Sequence, residues 1–521
     1  MAISAEKVGL EADVQAPTKE SSIDQGAVEH SKQEDRGIDD ALVFATEHHV
    51  DYVSPEEDRR LLWKIDLVIL PILLTTYSLK FLDQQAMSYS SNFSLLSDMH
   101  LSVNQYAWAS GSIINLAIVV FQPFANRILQ IVPLGRFVSV SVIVWGTLLM
   151  CTAGARSFAG IAVLRTFLGF AESGITPAMV LIVAMWYKRD GEQPGRQGTW
   201  FLGNALAQIV GGLIGYGVGH IQSRLSVGPW IWFFIIVGAV TFLWGIALLF
   251  ILPDNPMTAK FLTPQERAVA VARVKDNHTG IINHQWKWSQ FRECMLDLNI
   301  WLYCSILFLS AIPSGGVASF GNIVIKQFGF SALNTTLLSI PLGGVQAISL
   351  LASGWVNSKF KNIRNLVAAI SQVPPLIGAV LLTTLPQSNK VGRLLSYYII
   401  QTHTVNDVMM YAVFSGNTAG FTKKVTGSAL MFIWGSVGLI VGPQLFIASE
   451  APSYPTAFNA AITCFVLQIV LPFALQLYLY WQNRKKRQLQ ATLPPATEEE
   501  LAQEGLMDLT DKEQPHFRYV Y

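Results

Sequence analysis

Arg165 and Glu172 stand seven residues apart in FAGIAVLRTFLGFAESGITPAMVLIVAMWYKR, residues 158–189. Seven residues make nearly two helical turns, so the two side chains share one face, about 10 Å apart along the axis. The stretch is apolar and long enough to cross a bilayer. An ionisable group at that depth costs at least about 2.5 kcal/mol unless it meets a partner or a wet cavity. A carboxylate in a largely dehydrated cavity beside a cation can take a proton from one side and release it to the other, which is what proton coupling needs. The plainer alternative for Glu172 is a permanent ion pair with an arginine on a neighbouring span. Arg165 keeps its charge and offers a planar fork suited to a carboxylate, either on a substrate or on Asp83 or Glu172 as their counter-ion.

Further polar groups fall inside apolar runs. YSLKFLDQQAMSYS contributes Lys80, Asp83 and Gln84. Asn204 and Gln208 are four apart and share a face, as do His403 and Asp407. The second of these pairs either takes part in coupling or faces a neighbouring helix. Asn115, Asn322, Gln346 and Gln401 are single positions, and most such residues in helical bundles are interhelical hydrogen bonds worth about 0.6 kcal/mol. Cys151, Cys294, Cys304 and Cys464 lack metal-site or disulfide spacing. Three read as small apolar helix residues and Cys294 as a loop thiol. Gly343-Gly344 is no phosphate loop, because neither a preceding strand nor a GK[ST] follows the pattern. No metal and no cofactor are expected, and no nucleophile–base constellation points to an enzyme.

The elements that must position these groups are membrane helices. The 521 residues are 51% apolar and only 14% charged, against about 25% charge in soluble domains. A net charge of +1, with no basic domain, gives nucleic acid nothing to bind. Twelve runs of about 20 residues or more, enough to span, lie near 66–88, 105–125, 137–155, 158–187, 198–220, 230–252, 299–325, 334–356, 365–385, 394–416, 425–448 and 457–481. The expected fold is therefore an all-α polytopic membrane protein with twelve transmembrane helices in two six-helix halves. It divides into a disordered cytosolic tail over 1–60, a first half over 61–252, a cytosolic central loop over 253–298, a second half over 299–481 and a cytosolic tail over 482–521. Thr263-Pro264-Gln265-Glu266 marks a helix start within the loop. Connections on one side carry clusters such as Lys260, Arg267, Arg273, Lys275, Lys287 and Arg292. Those on the other carry Arg156, Arg224, Lys326, Lys390 and Arg393, which puts both termini in the cytosol. Asn92 and Asn334 open glycosylation acceptors on the outer side, and the one at Asn277 is cytosolic and hence spurious. Glycines at 211, 212, 215, 217 and 219, and at 435, 438 and 442, permit close helix approach and sliding.

Several stretches resemble one family. They are FLDQQAMSYS, QPFANRILQIVPLGR, LRTFLGFAESGITPAMVLIVAMWYKR, LPDNPMTAKFLTPQERAVAVARVKDNHTGI, SALNTTLLSIPLGG and SGNTAGFTKKVTGSALMFIWGSVGLIVGPQLF. Together they are similar to the fungal allantoate permease group, in the anion:cation symporter branch of the major facilitator superfamily, over about 55–482. The resemblance implies the major facilitator fold and transport of small carboxylates or ureides coupled to protons, with Glu172 as the proton-linked position. Related transporters read Asn-x-x-Asp-Arg or Asp-Lys where this chain has Lys80, Asp83 and Gln84, and the basic residue is thought to hold the anionic substrate. Here the cation has moved one turn, about 6 Å. Either Lys80 replaces it, or Lys80 neutralises Asp83 and Gln84 offers hydrogen bonds to an uncharged cargo. Phe421 stands where the family has His in NTAGHTKK, which Asn417 opens.

The resulting expectation is a monomeric plasma-membrane symporter of a small polar organic solute, carboxylate or ureide-like, working by alternating access in the bilayer. Glu172 and Asp83 carry the proton; Arg165, Lys80, Gln84, Asn204 and Asn417 bind substrate. The rivals are an exporter of a secondary metabolite or drug-like compound, and a nutrient sensor without net flux. A fifth span without proline, GNALAQIVGGLIGYGVG, counts against the exporter.

Overall fold

The computed structural model describes residues 54–188, 192–221, 228–275, 286–360, 362–491 and 509–521. The expected N-terminal tail up to 53, Arg189, Arg224, Lys361, the Asn277 acceptor and the tail over 492–508 lie outside them. The described residues form an all-helical membrane protein, in which eleven helices are long and apolar enough to span a bilayer. They are α1 (Pro55–Ser91), α2 (Val103–Leu129), α3 (Leu134–Thr152), α4 (Phe158–Trp186), α5 (Gly195–Gly219), α6 (Pro229–Ile251), α7 (Leu298–Gln327), α8 (Ala332–Lys359), α9 (Arg364–Thr384), α11 (Phe421–Gln444) and α12 (Pro455–Gln490). The tenth expected run, α10, is helix over Lys390–Ile400 and Val405–Asn417, joined by a 3₁₀ turn at Gln401–Thr404. The polar sequence QTHTVND sits at that joint, so neither piece is a long apolar helix on its own.

Local signals explain where α1 begins. Ser54 caps it in a capping box with Glu57, Pro55 occupies the first turn, and three acidic residues face the positive end of the helix dipole. Helix pairing then depends on bare backbone. α3 packs along α6 and α7 along α11. In the second pair a Cβ on Gly442 would collide with the Ile312 carbonyl.

Bonds between the first six and last six spans gather at the end remote from Ser54 and from residues 509–521. Ser88 accepts from the Asn322 amide at 3.2 Å, Lys326 donates to the Asn92 carbonyl at 3.0 Å, and Tyr106 donates to the Ser319 carbonyl at 2.7 Å. Ser112 donates to Ile440 O and accepts from Gln444. At the opposite end, ion pairs tie the first six spans to the connecting segment. Asp58 joins Lys188 and Arg273, Arg273 also holds Glu192, and Lys64 holds Glu266.

The segment's helix, Pro264–Lys275, starts where the sequence signals it, with Thr263 and Glu266 exchanging backbone and side-chain bonds. The hydrogen bond from Lys64 holds the Glu266 carboxyl below its ordinary value. Cys294 is not a loop thiol: it lies fully buried in the helix Trp288–Leu296, where burial pushes its thiol up to about 11.

The last residues dock on the second set of spans. Lys423 Nζ sits among Asp297 and Asp511 at 2.6 Å each and Glu293 at 2.9 Å. The three carboxylates would repel one another without that ammonium. Tyr519 donates to Asp511, and its backbone exchanges bonds with Asn483.

Candidate functional site

Two polar sites lie within the bundle. The first is built by α1, α3 and α4. Asp83 and Arg165 are both fully buried, with Arg165 Nη1 at 3.4 Å from Asp83 Oδ1. The indole of Trp145 on α3 donates to the other carboxylate oxygen at 2.7 Å. Both Asp83 oxygens thus have a partner, and Asp83 is a counter-ion of Arg165. Lys80 does not pair with Asp83: its ammonium donates to Thr176 at 2.6 Å, in the part of α4 beyond Glu172.

Glu172 faces inward with Arg165, as the seven-residue spacing predicts. It is 1% exposed, and neither of its oxygens has a hydrogen-bond partner among the described residues. The α-helix that begins at Phe158 ends on Glu172, and a turn at Ser173-Gly174 precedes the helix Ile175–Trp186. An anion there meets the negative end of a helix dipole. Lys80, Asp83 and Arg165 are the charged groups whose fields reach it. A buried carboxylate with no donor and mixed neighbours is poised to change its protonation when water or a partner arrives.

The second site is a cavity of about 50 Å³ between α1, α5, α7, α8 and α10. That holds a few waters, so loading an organic solute requires the helices to part. Asn204, Gln208, Gln346, Gln401, His403 and Asp407 all line it. Positions scattered through three runs therefore converge. The 3₁₀ turn that breaks α10 brings His403 and Asp407 to one cavity without an ion pair between them among the described residues. His403 Nδ1 lies 2.8 Å from the Ile400 carbonyl and donates to it, and Nε2 has no hydrogen-bond partner among the described residues.

A model of the Major Facilitator Superfamily matches residues 73–443. The chain belongs to the Major Facilitator Superfamily. Within it, an uncharacterized transporter of Schizosaccharomyces pombe is 34% identical over 469 residues, covering 89% of this chain and 88% of its own. The allantoate permease of Saccharomyces cerevisiae is 32% identical over 500 residues, covering 93% and 90%. A thiamine pathway transporter of the same yeast is 32% identical over 480 residues, covering 92% and 90%. A bacterial homolog of the human lysosomal transporter Spinster, solved inward-facing and unoccupied, matches with a TM-score of 0.57 at 16% identity. It covers 82% of this chain and 98% of its own, and shows the fold alone.

Other expected site residues of this major facilitator protein lie elsewhere. Asn417 is not at the cavity. It ends α10, where its amide donates to Val520 O and its carbonyl accepts from Val520 N, both at 2.6 Å. Gln84 is absent from the cavity lining, and its neighbour Gln85 is present. One residue is 100° of helix, and a run of two glutamines conceals which one faces inward. Asn92 is 2% exposed, with its carbonyl holding Lys326, so the fold closes that glycosylation acceptor. Asn334 is exposed, although Thr336 of its acceptor motif is buried. Trp145 and Thr176 were invisible as site residues, since an indole and a threonine in apolar helices read as packing.

Proposed function

We propose that this protein is a proton-coupled symporter of a small polar organic solute, monomeric in the plasma membrane with both termini cytosolic. Two six-helix halves, 61–252 and 299–481, rock about the central cavity to expose it alternately to each side. The observation that carries the coupling is Glu172, buried, without a hydrogen-bond partner among the described residues, and within the fields of Lys80 and Arg165. Asp83 holds Arg165 in place, which leaves Glu172 as the group free to exchange a proton. The five amide side chains of Gln85, Asn204, Gln208, Gln346 and Gln401 around the cavity suit a solute rich in amide or ureide hydrogen bonds. Relatives named for allantoate and for the thiamine pathway support a small polar cargo.

Accumulation of radiolabelled solutes by cells lacking their own permeases tests the reading. The expected result is uptake above the external concentration that collapses with a protonophore. Uptake that only equilibrates, with no response to the protonophore, would contradict it; net efflux would reverse the direction.

A further inference from the structure

The charge of the cavity wall narrows the cargo, and the argument rests on the transport reading above. Asp407 is the one carboxylate in the lining, and neither lysine nor arginine joins it there. The cations that could have received an anion are held outside the lining. Arg165 pairs with Asp83 through Nη1 alone, its Nε and Nη2 having no hydrogen-bond partner among the described residues, and its guanidinium lies 6.0 Å from the Phe234 ring; Lys80 donates to Thr176. With Asp407 ionised and His403 in its neutral form, the wall carries a net negative charge. A carboxylate solute entering would set two anions side by side in a dehydrated space, a costly arrangement. A cation would instead supply the ion-pair partner that Asp407 lacks among the described residues. Phe81 and Phe201 also line the cavity, and aromatic faces attract desolvated cations. His403 Nε2 offers a lone pair to an N–H donor.

We propose that the solute is a small organic cation bearing N–H donors, with Asp407 as its counter-ion. The amide side chains orient the cargo's neutral polar groups, and Phe81 and Phe201 flank the charge. The displaced cation of the first span fits this assignment: Lys80 belongs to the α1–α4 network and not to the cargo.

Binding to the purified full-length protein in nanodiscs, by calorimetry at neutral pH, tests this without requiring flux. Two matched probe sets differ only in charge on a similar frame: benzamidinium, benzamide and benzoate; guanidinium, urea and acetate. The expected result is that the cation of at least one set binds tenfold or more tighter than its neutral analogue, with the carboxylate weakest. Asp407→Asn should erase that preference. Gln401→Lys, which brings a cation to the wall and keeps Asp407, should erase it too; a monodisperse elution profile verifies that each variant folds. Tighter binding of the carboxylate or the neutral analogue, equal binding within both sets, no binding of either cation, or a preference surviving both substitutions would overturn the proposal. Cation binding without protonophore-sensitive uptake would instead contradict the symport reading and leave this assignment standing.

Discussion

Arg165 and Glu172 share a helix face and do different work. Arg165 is committed to Asp83, whose second oxygen is committed to Trp145. Removing one member of such a buried pair leaves an uncompensated charge, at about 3–5 kcal/mol. Asp83→Asn and Arg165→Gln should each lower stability by that order, and the double variant should lose less than the sum. Thermal unfolding of the four proteins in one detergent gives the cycle, and strict additivity would mean that the pair is not coupled. The shared face of the pair was legible in the sequence, because helical spacing and the cost of intramembrane charge are both local facts. Partner choice was not. Whether Lys80 or Arg165 answers Asp83 depends on how α1 and α4 are rotated, and that is set by packing across the bundle. The same holds for Gln85 over Gln84. The partner of Asn417 was hidden for another reason: Val520 lies 103 residues on, in a short FRYVY segment that reads as the end of a polar tail rather than as a docking element.

Helices carry a second set of consequences. The apolar runs foretold the spans, since about 20 residues of uninterrupted hydrophobicity have few other uses. The break in α10 did not show, because a 3₁₀ turn needs no proline or glycine. It nevertheless matters, since it brings Gln401, His403 and Asp407 to one wall. Among the glycines, sequence could not separate seams that move from seams that only pack. α5 and α8 meet where a Cβ on Gly343 would sit 2.5 Å from the Ala205 carbonyl. Gly438 and Gly442 instead seat α11 on α7. Gly343→Ala should therefore disfavour the α5–α8 contact and cut the transport rate severalfold, while the variant still folds and inserts. Initial uptake rates normalised to surface expression measure this, and a wild-type rate would show that the seam tolerates the methyl group.

At the scale of the molecule, cross-bundle hydrogen bonds close the end remote from Ser54 and from residues 509–521. Ion pairs at the other end bind the first spans to the connecting segment. One closed end and a central polar cavity suit the alternating access proposed above. In the proposed symport the coupling group is Glu172, a buried carboxylate of α4 whose oxygens have no hydrogen-bond partner within bonding distance among the described residues. The most direct measurement compares Glu172→Gln with the parent protein in proteoliposomes, reading proton-driven accumulation and solute–solute counterflow on the same preparation. Accumulation should vanish while counterflow persists at a comparable rate, because exchange needs the cavity but not the proton. Accumulation by Glu172→Gln at the parental level would contradict the coupling role of Glu172.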